Sequence, residues 1–303
     1  MSGLQDIKKR IRSVQSTHKL ISAMQLIAAS RFRQSIKLLQ NARSYEDSLS
    51  DVLYRVVTIN KEKYNKARQC LPWYLKEKDA SKPHLICVFG AQKGLCGGYN
   101  LSSIKEALAV EERYNDRRCL FAPITLKAAE YFIKRKPTQI KHFAGLGHLT
   151  DTHYMDLATN VFNDINELFN NSEIGSISIV SGKFVNTLTQ RIESYELFPF
   201  DITSKLQKQQ NAQQTDYLSK QCLVEPSIEK ALQRGLEHLV LVHIYRAFIE
   251  SETCENASRM TMMDNSKRNA KELISKLSVR YNRTRQANIT NELIEIIAGV
   301  ADR

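Results

Sequence analysis

The sequence predicts an α/β protein in which a long antiparallel coiled coil of N- and C-terminal helices is joined to a central βαβ sheet domain. Glycine and proline, which most often interrupt helices, are absent between Gly3 and Pro72, and after Pro226 only Gly235 and Gly299 occur. The segment between these two stretches alternates short apolar runs with helical patterns. We therefore divide the chain into an N-terminal helix (1–72), an α/β domain (83–222) and a C-terminal helix (227–303).

The N-terminal segment carries a heptad pattern of apolar residues. Counted from Leu4 in alternating steps of three and four, twelve positions fall between residues 4 and 42, and the polar ones are His18, Gln25 and Ser35. This pattern predicts a coiled-coil seam. At about 1.5 Å per residue, the first fifty residues would form a rod of about 75 Å, which a small globule cannot bury. A second long helix is therefore expected beside it.

The C-terminal segment supplies that helix. Pro226 and Ser227 predict its start, with Ser227 as the N-cap. Apolar residues then recur at helical spacing, at Leu232, Leu236, Ile244, Phe248, Ala257, Met260, Met263, Ala270, Leu273, Leu277, Tyr281, Leu293 and Ile296. Because the two rods stand at opposite ends of one chain, they are expected to pair antiparallel.

The middle of the chain has the pattern of a Rossmann-like βαβ domain. Strands are predicted at "HLICVF", "RCLFAP", "QIKHF", "SISIVSGKF" and "RIESYELFPFDI", and helices at "LSSIKEALAVEERY", "TLKAAEYFIKR" and "YMDLATNVFNDINELF". The glutamine-rich stretch Leu206–Lys220 is predicted to be a mobile surface loop.

The composition indicates a negatively charged partner. Lysine and arginine number 44 against 32 acidic residues, a net charge of +12. The six cysteines form no C-x-x-C pair, which is typical of idle thiols in a reducing compartment. The N-terminus shows no apolar leader, and no apolar run reaches the ~18 residues of a membrane helix. We therefore expect an intracellular chain that meets a membrane only through its surface or its partners.

A glycine-rich stretch, "FGAQKGLCGGYN" at Phe89–Asn100, follows the first predicted strand and raises the question of a phosphate site. The spacing of Gly90 and Gly94 matches neither the Walker A loop nor the dinucleotide pattern. A sharp turn from strand to helix is the simpler interpretation. His142, His148 and His153 lack partners for a metal set, and Cys96 has no histidine near it in sequence. The sequence thus predicts neither catalysis nor a bound cofactor or metal.

Both predicted rods are strongly basic. Residues 1–40 contain eight basic residues against one acidic residue, and residues 267–285 contain seven against one. Since like charges on paired helices repel, an acidic sleeve around them would stabilise the pair. Nucleic acid is an alternative partner for this basic surface, although the rods lack the interleaved aromatic residues typical of proteins that bind single strands.

Three blocks of the sequence resemble the gamma subunit family of the F-type ATP synthases, in its bacterial form. Leu4–Ser35 is similar to the family's first helix, with its A-M-x-x-(I/V)-A-A-S stretch. Lys93–Asn100 resembles the G-L-C-G-G-x-N loop, and Asn256–Gly299 matches the terminal block at almost every position.

The resemblance implies a non-catalytic rotor shaft of a proton-translocating ATP synthase. The paired helices would stand inside the alpha/beta catalytic head, where ATP forms on beta. The sheet domain would rest on the membrane c-ring beside the epsilon subunit, or its delta-type counterpart in mitochondria. The implied location is the cytoplasmic side of a bacterial inner membrane, as a peripheral subunit.

The resemblance also implies contact residues. Arg285 and Gln286 match a pair that hydrogen-bonds an acidic catch loop of beta. Thr290 and Glu292 match nearby contact positions, and Met24 lies where the shaft passes the beta lever. The same resemblance assigns Lys93 and Cys96 to a loop that faces this lever, and Glu225 to a foot contact with the c-ring or epsilon.

The chain departs from the family pattern at two of these places. Ala91, Gln92 and Lys93 stand where the family loop usually reads S-D-R, so an acidic residue is missing, and Val224 stands where an aromatic residue is frequent. The paired cysteines of the chloroplast forms are not evident, so no thiol regulation is expected. Two other functions remain open: a nucleic-acid-binding basic coiled coil, and a nucleotide-binding enzyme that uses the glycine loop.

Overall fold

The computed structural model describes residues 2–59, 79, 81–143, 154–198, 224–225 and 227–301. Its helices are α1 (Ser2–Ile59), α2 (Tyr99–Arg113), α3 (Leu126–Arg135), α4 (Tyr154–Asn170) and α5 (Ile228–Ala301), and its strands are β1 (His84–Val88), β2 (Cys119–Pro123), β3 (Ser176–Phe184) and β4 (Gln190–Phe198). Residues 60–72 of the predicted first helix and the glutamine-rich stretch at 206–220 lie outside these described ranges. Among the described helices, none has a stretch apolar and long enough to cross a membrane.

The chain forms two compact units, and the boundary between them cuts both long helices. The helical unit comprises residues 1–30 and 259–303, and the sheet unit comprises residues 31–258. The predicted domains instead follow the secondary structure and keep each long helix whole.

The sheet has the strand order β2-β1-β3-β4, with β1 parallel to both neighbours and β4 antiparallel to β3. Every residue of β1 and β2 is buried, as expected for strands covered on both faces. On one face, Leu85 and Cys87 pack with α4 and with the sheet-unit stretches of α1 and α5. On the other face, Ile86 and Val88 pack with α2 and α3. The predicted α/β architecture is therefore confirmed.

The two long helices run antiparallel within the sheet unit. Arg43 of α1 forms an ion pair with Glu250 of α5, and Glu46 forms one with Arg246. Residue numbers therefore decrease along α5 as they increase along α1, which is the antiparallel arrangement. α5 begins as predicted, because Ser227 Oγ accepts a hydrogen bond from the Lys230 amide at 3.3 Å.

The helical unit shows the same direction of pairing. The Gln25 side chain donates to Asp264 Oδ1 at 3.3 Å and accepts from Lys267 Nζ at 3.4 Å. All twelve predicted seam positions of α1, across both units, are buried or half-buried, while most of the residues between them are exposed. The heptad prediction for α1 is confirmed.

Two predictions made from apolar patterns are wrong. "QIKHF" does not form a strand, because a 3-10 turn at Pro137–Gln139 precedes it and only Ile140 bridges to Phe121 of β2. In α5, Leu273 is 38% exposed, since Ala270 and Leu277 are the buried residues and the seam between them passes through the half-buried Ile274. Leu293 and Ile296, which continue the apolar spacing of α5, are 54% and 62% exposed.

The buried thiols of the sheet unit predict a loss of stability at alkaline pH. Burial raises the pKa of Cys87 from 9.0 to about 12 and that of Cys119 to about 11. Their stabilising contribution is complete below the unfolded-state pKa near 9.0 and is lost progressively as the pH rises toward the folded-state values. The free energy of unfolding should fall by about 1.4 kcal/mol per pH unit for each such thiol.

Urea denaturation at pH 8, 9.5 and 10.5 measures this slope. The variant Cys87→Ala should flatten it by the contribution of one thiol, because alanine does not ionise. Equal slopes in the variant and the parent chain would contradict the assignment.

Candidate interaction surfaces

The glycine loop, Phe89–Asn100, leaves the carboxyl end of β1. β1 has a parallel neighbour on each side, and in open α/β sheets such a switch point is where ligands usually bind. Gly97 has a φ of 60°, in the left-handed region that favours glycine, and α2 begins two residues later. The loop is therefore the sharp strand-to-helix turn predicted from the sequence.

A carboxylate of the same chain occupies two of the loop's amides. The Gln92 amide donates to Glu255 Oε2 at 2.8 Å and the Lys93 amide to Glu255 Oε1 at 3.2 Å. Glu255 is 6% exposed and lies on α5. Successive loop amides are the groups that hold phosphate in nucleotide-binding proteins. Here they hold an internal anion, which argues against the nucleotide-binding alternative.

Serine side chains of α5 hold the remainder of the loop. Ser251 Oγ donates to the Gly90 carbonyl at 3.0 Å and lies 2.8 Å from the Tyr99 hydroxyl. Burial raises the pKa of Tyr99 well above its ordinary value, and the Tyr99 hydroxyl donates to the Ser251 carbonyl at 3.3 Å. Ser258 Oγ donates to the Cys96 carbonyl at 2.7 Å. Sequence reasoning did not identify these α5 residues, because polar residues on a helix usually face solvent.

Lys93 and Cys96, the two loop residues implied by the resemblance, have opposite exposures. Lys93 is exposed, and so is Leu95, at 62%. Leu95 has a φ of 63°, which is uncommon for a non-glycine residue. Cys96 is 1% exposed, and its thiol receives a hydrogen bond from Asn100 Nδ2 at 3.4 Å. The Cys96 side chain therefore packs inward, and the side chains that this part of the loop exposes are those of Lys93 and Leu95.

Met24 belongs to an exposed apolar stripe on α1 in the helical unit. Leu20, Met24 and Ile27 are 63%, 42% and 58% exposed, and their i, i+4, i+7 spacing places them on one face. Each lies one residue before a seam position, so the stripe runs beside the buried seam. The sequence contains this signal, but the seam assignment alone did not identify Leu20 or Ile27.

The end of α5 presents the other predicted shaft contacts. Arg285, Gln286, Thr290 and Glu292 are all exposed, and Thr290 Oγ1 donates to the Gln286 carbonyl at 3.0 Å. Apolar side chains are interleaved with them, namely Ile289, Leu293, Ile294, Ile296 and Ile297, each between 44% and 68% exposed. Apolar residues clustered in this way on a surface indicate a contact with another molecule.

The helical unit is also basic. Lys8, Lys9, Arg10 and Arg12 are exposed on α1. Exposed cations also occur along the second half of α5, at Arg268, Lys271, Lys276, Arg280, Arg283 and Arg285. Part of this charge is compensated locally: the hydrogen bond from Arg268 holds the pKa of Asp264 below its ordinary value. The balance remains positive, so the surface suits a partner with exposed carboxylates or other anions.

Glu225, the predicted foot contact, is exposed and lies three residues before α5 begins. It belongs to the sheet unit. The described structure thus leaves all the predicted contact side chains at the surface except that of Cys96.

Paired antiparallel helices with exposed apolar and basic faces, together with an α/β sheet, define a subunit of a larger assembly. A family model described as ATP synthase matches residues 3–301. The "ATP synthase gamma chain" of Pelagibacter ubique is 32% identical over 302 residues, covering 99% of both chains. That of Hyphomonas neptunium is 32% identical over 301 residues, again covering 99% of both chains. The chain belongs to the ATP synthase gamma chain family.

Solved structures share the fold. A chain of the mitochondrial ATP synthase of Euglena gracilis, from a structure containing OSCP, F1 and the c-ring, superimposes with a TM-score of 0.62. That match covers 99% of this chain and 94% of the other at 14% identity. A rotor structure of the same enzyme gives a TM-score of 0.58 over 95% of this chain.

Proposed function

We propose that the chain is the central rotor-shaft subunit of a proton-translocating ATP synthase. In this role it does not catalyse the reaction. It transmits the rotation of the c-ring to an alpha/beta head, where the beta subunits synthesise ATP. Membership of the gamma chain family supports the assignment.

The observation that carries the proposal is the surface of the helical unit. An antiparallel helix pair buries a narrow seam and leaves apolar stripes and a positive surface exposed. An isolated soluble rod gains nothing from exposed isoleucines and leucines, whereas a shaft inside a protein sleeve uses them as its contact surface. We place Met24, Arg285, Gln286, Thr290 and Glu292 in that contact.

The sheet unit would contact the c-ring and the epsilon subunit, with Glu225 at the foot and the glycine loop facing the beta lever. The chain would then lie on the cytoplasmic side of a bacterial inner membrane and reach the lipid only through its partners. The basic surface also keeps nucleic-acid binding as a second candidate. The apolar stripes favour a protein partner over nucleic acid, because the phosphate contacts that supply most nucleic-acid affinity are made by charged and polar groups.

Reconstitution tests the proposal. Alpha and beta subunits and the membrane sector, assembled with this chain, should hydrolyse ATP and pump protons together, and the same mixture without it should not pump. A complex that pumps equally well without this chain would refute the shaft assignment. Salt-dependent binding of duplex DNA at affinities typical of specific complexes would favour the second candidate instead.

A further inference from the structure

One stretch of α5 is attached to the sheet by polar groups. This stretch is Glu250–Ser258. The predicted apolar pattern has no member between Phe248 and Ala257, yet most residues of the helix remain buried there. Glu250, Ser251, Thr253, Glu255 and Asn256 are each 6% exposed or less. We call Glu250–Ser258 the docking segment. Buried polar groups cost free energy unless they are hydrogen-bonded, so their partners indicate what the segment does.

The first set of partners is the glycine loop. Glu255, Ser251 and Ser258 bind four backbone groups of the loop: two amides through Glu255, the Gly90 carbonyl and the Cys96 carbonyl. Because these contacts go to the backbone, they fix the path of the loop whatever its side chains are. α5 thereby holds the carboxyl end of β1.

The second set of partners is the end of β3. Glu250 Oε1 accepts a hydrogen bond from the Phe184 amide at 3.1 Å. Arg43 of α1 donates to the Phe184 carbonyl at 3.2 Å and forms an ion pair with Glu250. Both backbone groups of one β3 residue are thus held by an ion pair between the two long helices.

Polar attachment differs from apolar packing in one mechanical respect. Apolar surfaces can slide or rotate past one another at little cost, since burial depends on area and not on direction. Hydrogen bonds to buried charged groups are directional, and breaking one leaves an unsatisfied charge in a low-dielectric interior. Such contacts therefore fix a single register between helix and sheet.

We propose that the four residues of the docking segment that bind backbone of the sheet unit, Glu250, Ser251, Glu255 and Ser258, form the joint through which the sheet turns the long helices. In it, Glu255 and Glu250 act as positioning residues for the glycine loop and the end of β3. The inference rests on the proposed rotor function and goes beyond it, because it names the groups that transmit torque inside the chain. Without this joint, rotation of the sheet domain would be partly lost as slippage against α5.

The reactivity of the Cys96 thiol tests the joint in the full chain without its partner subunits. Cys96 belongs to the loop that Glu255 holds, and its side chain is buried. The variant Glu255→Gln replaces one acceptor oxygen with an amide that cannot accept from a loop N–H. We expect N-ethylmaleimide to modify Cys96 about tenfold faster in this variant, as measured by mass spectrometry of its peptide. Ser258→Ala removes a single hydrogen bond and should accelerate the reaction about threefold, which preserves the test if Glu255→Gln does not fold.

Glu252→Gln is the matched control. Glu252 lies in the same stretch of α5 but is outside this set of four, and it accepts hydrogen bonds from Tyr154 of α4 and from Asn256 of α5. Cys96 should stay as protected in this variant as in the parent chain. The proposal is overturned if Cys96 is equally protected in all variants. It is also overturned if Glu252→Gln exposes Cys96 as much as Glu255→Gln does.

The assembled complex tests torque transmission. Protons pumped per ATP hydrolysed should fall at least about twofold with Glu255→Gln, while hydrolysis continues and Glu252→Gln pumps as the parent does. If a variant exposes Cys96 but still pumps the same number of protons per ATP hydrolysed, the proposal that the joint transmits torque is overturned. A parent complex that does not pump at all would refute the rotor function instead, and the thiol reactivity would still decide whether Glu255 holds the loop.

Discussion

Replacing Arg285 by alanine is expected to lower ATP turnover of the reassembled complex about tenfold while leaving the stability of the chain unchanged. In the proposed contact, Arg285 donates to a carboxylate of the beta subunit. A hydrogen bond of this kind contributes about 1.5–3 kcal/mol, which the alanine variant would lose. Arg285 is exposed, so the substitution itself should change the free energy of unfolding by about 0.5 kcal/mol or less.

Arg268→Ala is the control for Arg285→Ala. Arg268 lies on the same helix, is exposed, and is held by Asp264 one turn before it. Its loss should alter turnover little, because its guanidinium is already engaged within the chain. ATP turnover of the reassembled complex measures the effect of each substitution on activity, and urea denaturation of the chain measures its effect on stability. Equal turnover for the two variants would contradict a specific role for Arg285.

Leu39→Ala should lower the free energy of unfolding by about 2–5 kcal/mol. Leu39 is 1% exposed and packs with Ala42 and Ile249 between the two long helices. The adjacent Leu38 is 41% exposed, so Leu38→Ala should cost less than about 1 kcal/mol.

Urea denaturation of the two leucine variants compares the same chemical change at neighbouring positions. Similar losses would mean that the seam does not separate buried from exposed leucines at this point of α1. A larger loss for Leu38→Ala would place the seam one residue earlier than the structure does.

The fold was predictable where burial follows apolar periodicity. The twelve seam positions from Leu4 to Ala42 and the strands at His84–Val88 and Cys119–Pro123 are such places, since apolar side chains alone decide which face is buried. The prediction was wrong at "QIKHF", where the turn after Pro137 outweighs strand propensity. It was also wrong at Leu273, because the buried face of α5 passes through the next residue, Ile274, instead.

The proposed contact residues could be named only through family resemblance, because an exposed arginine or glutamine has no local signal of its partner. The polar attachment of α5 was missed for a different reason. Sequence patterns treat glutamate and serine as solvent-facing. Glu255 and Ser251 are buried because loop backbone 163 and 161 residues away in sequence supplies their hydrogen-bond partners. The inward position of Cys96 follows from the same arrangement.

The antiparallel pairing of α1 and α5 has a consequence for how the chain is made. Gln25 and its partner Asp264 are 239 residues apart in sequence. At about 5–20 residues per second, a ribosome needs roughly 12–48 s to add the second after the first. During this time the α1 seam is complete but has no α5 beside it. We therefore expect the nascent chain to depend on chaperones or on early association with other subunits, and its yield to fall when translation of the last segment is slowed.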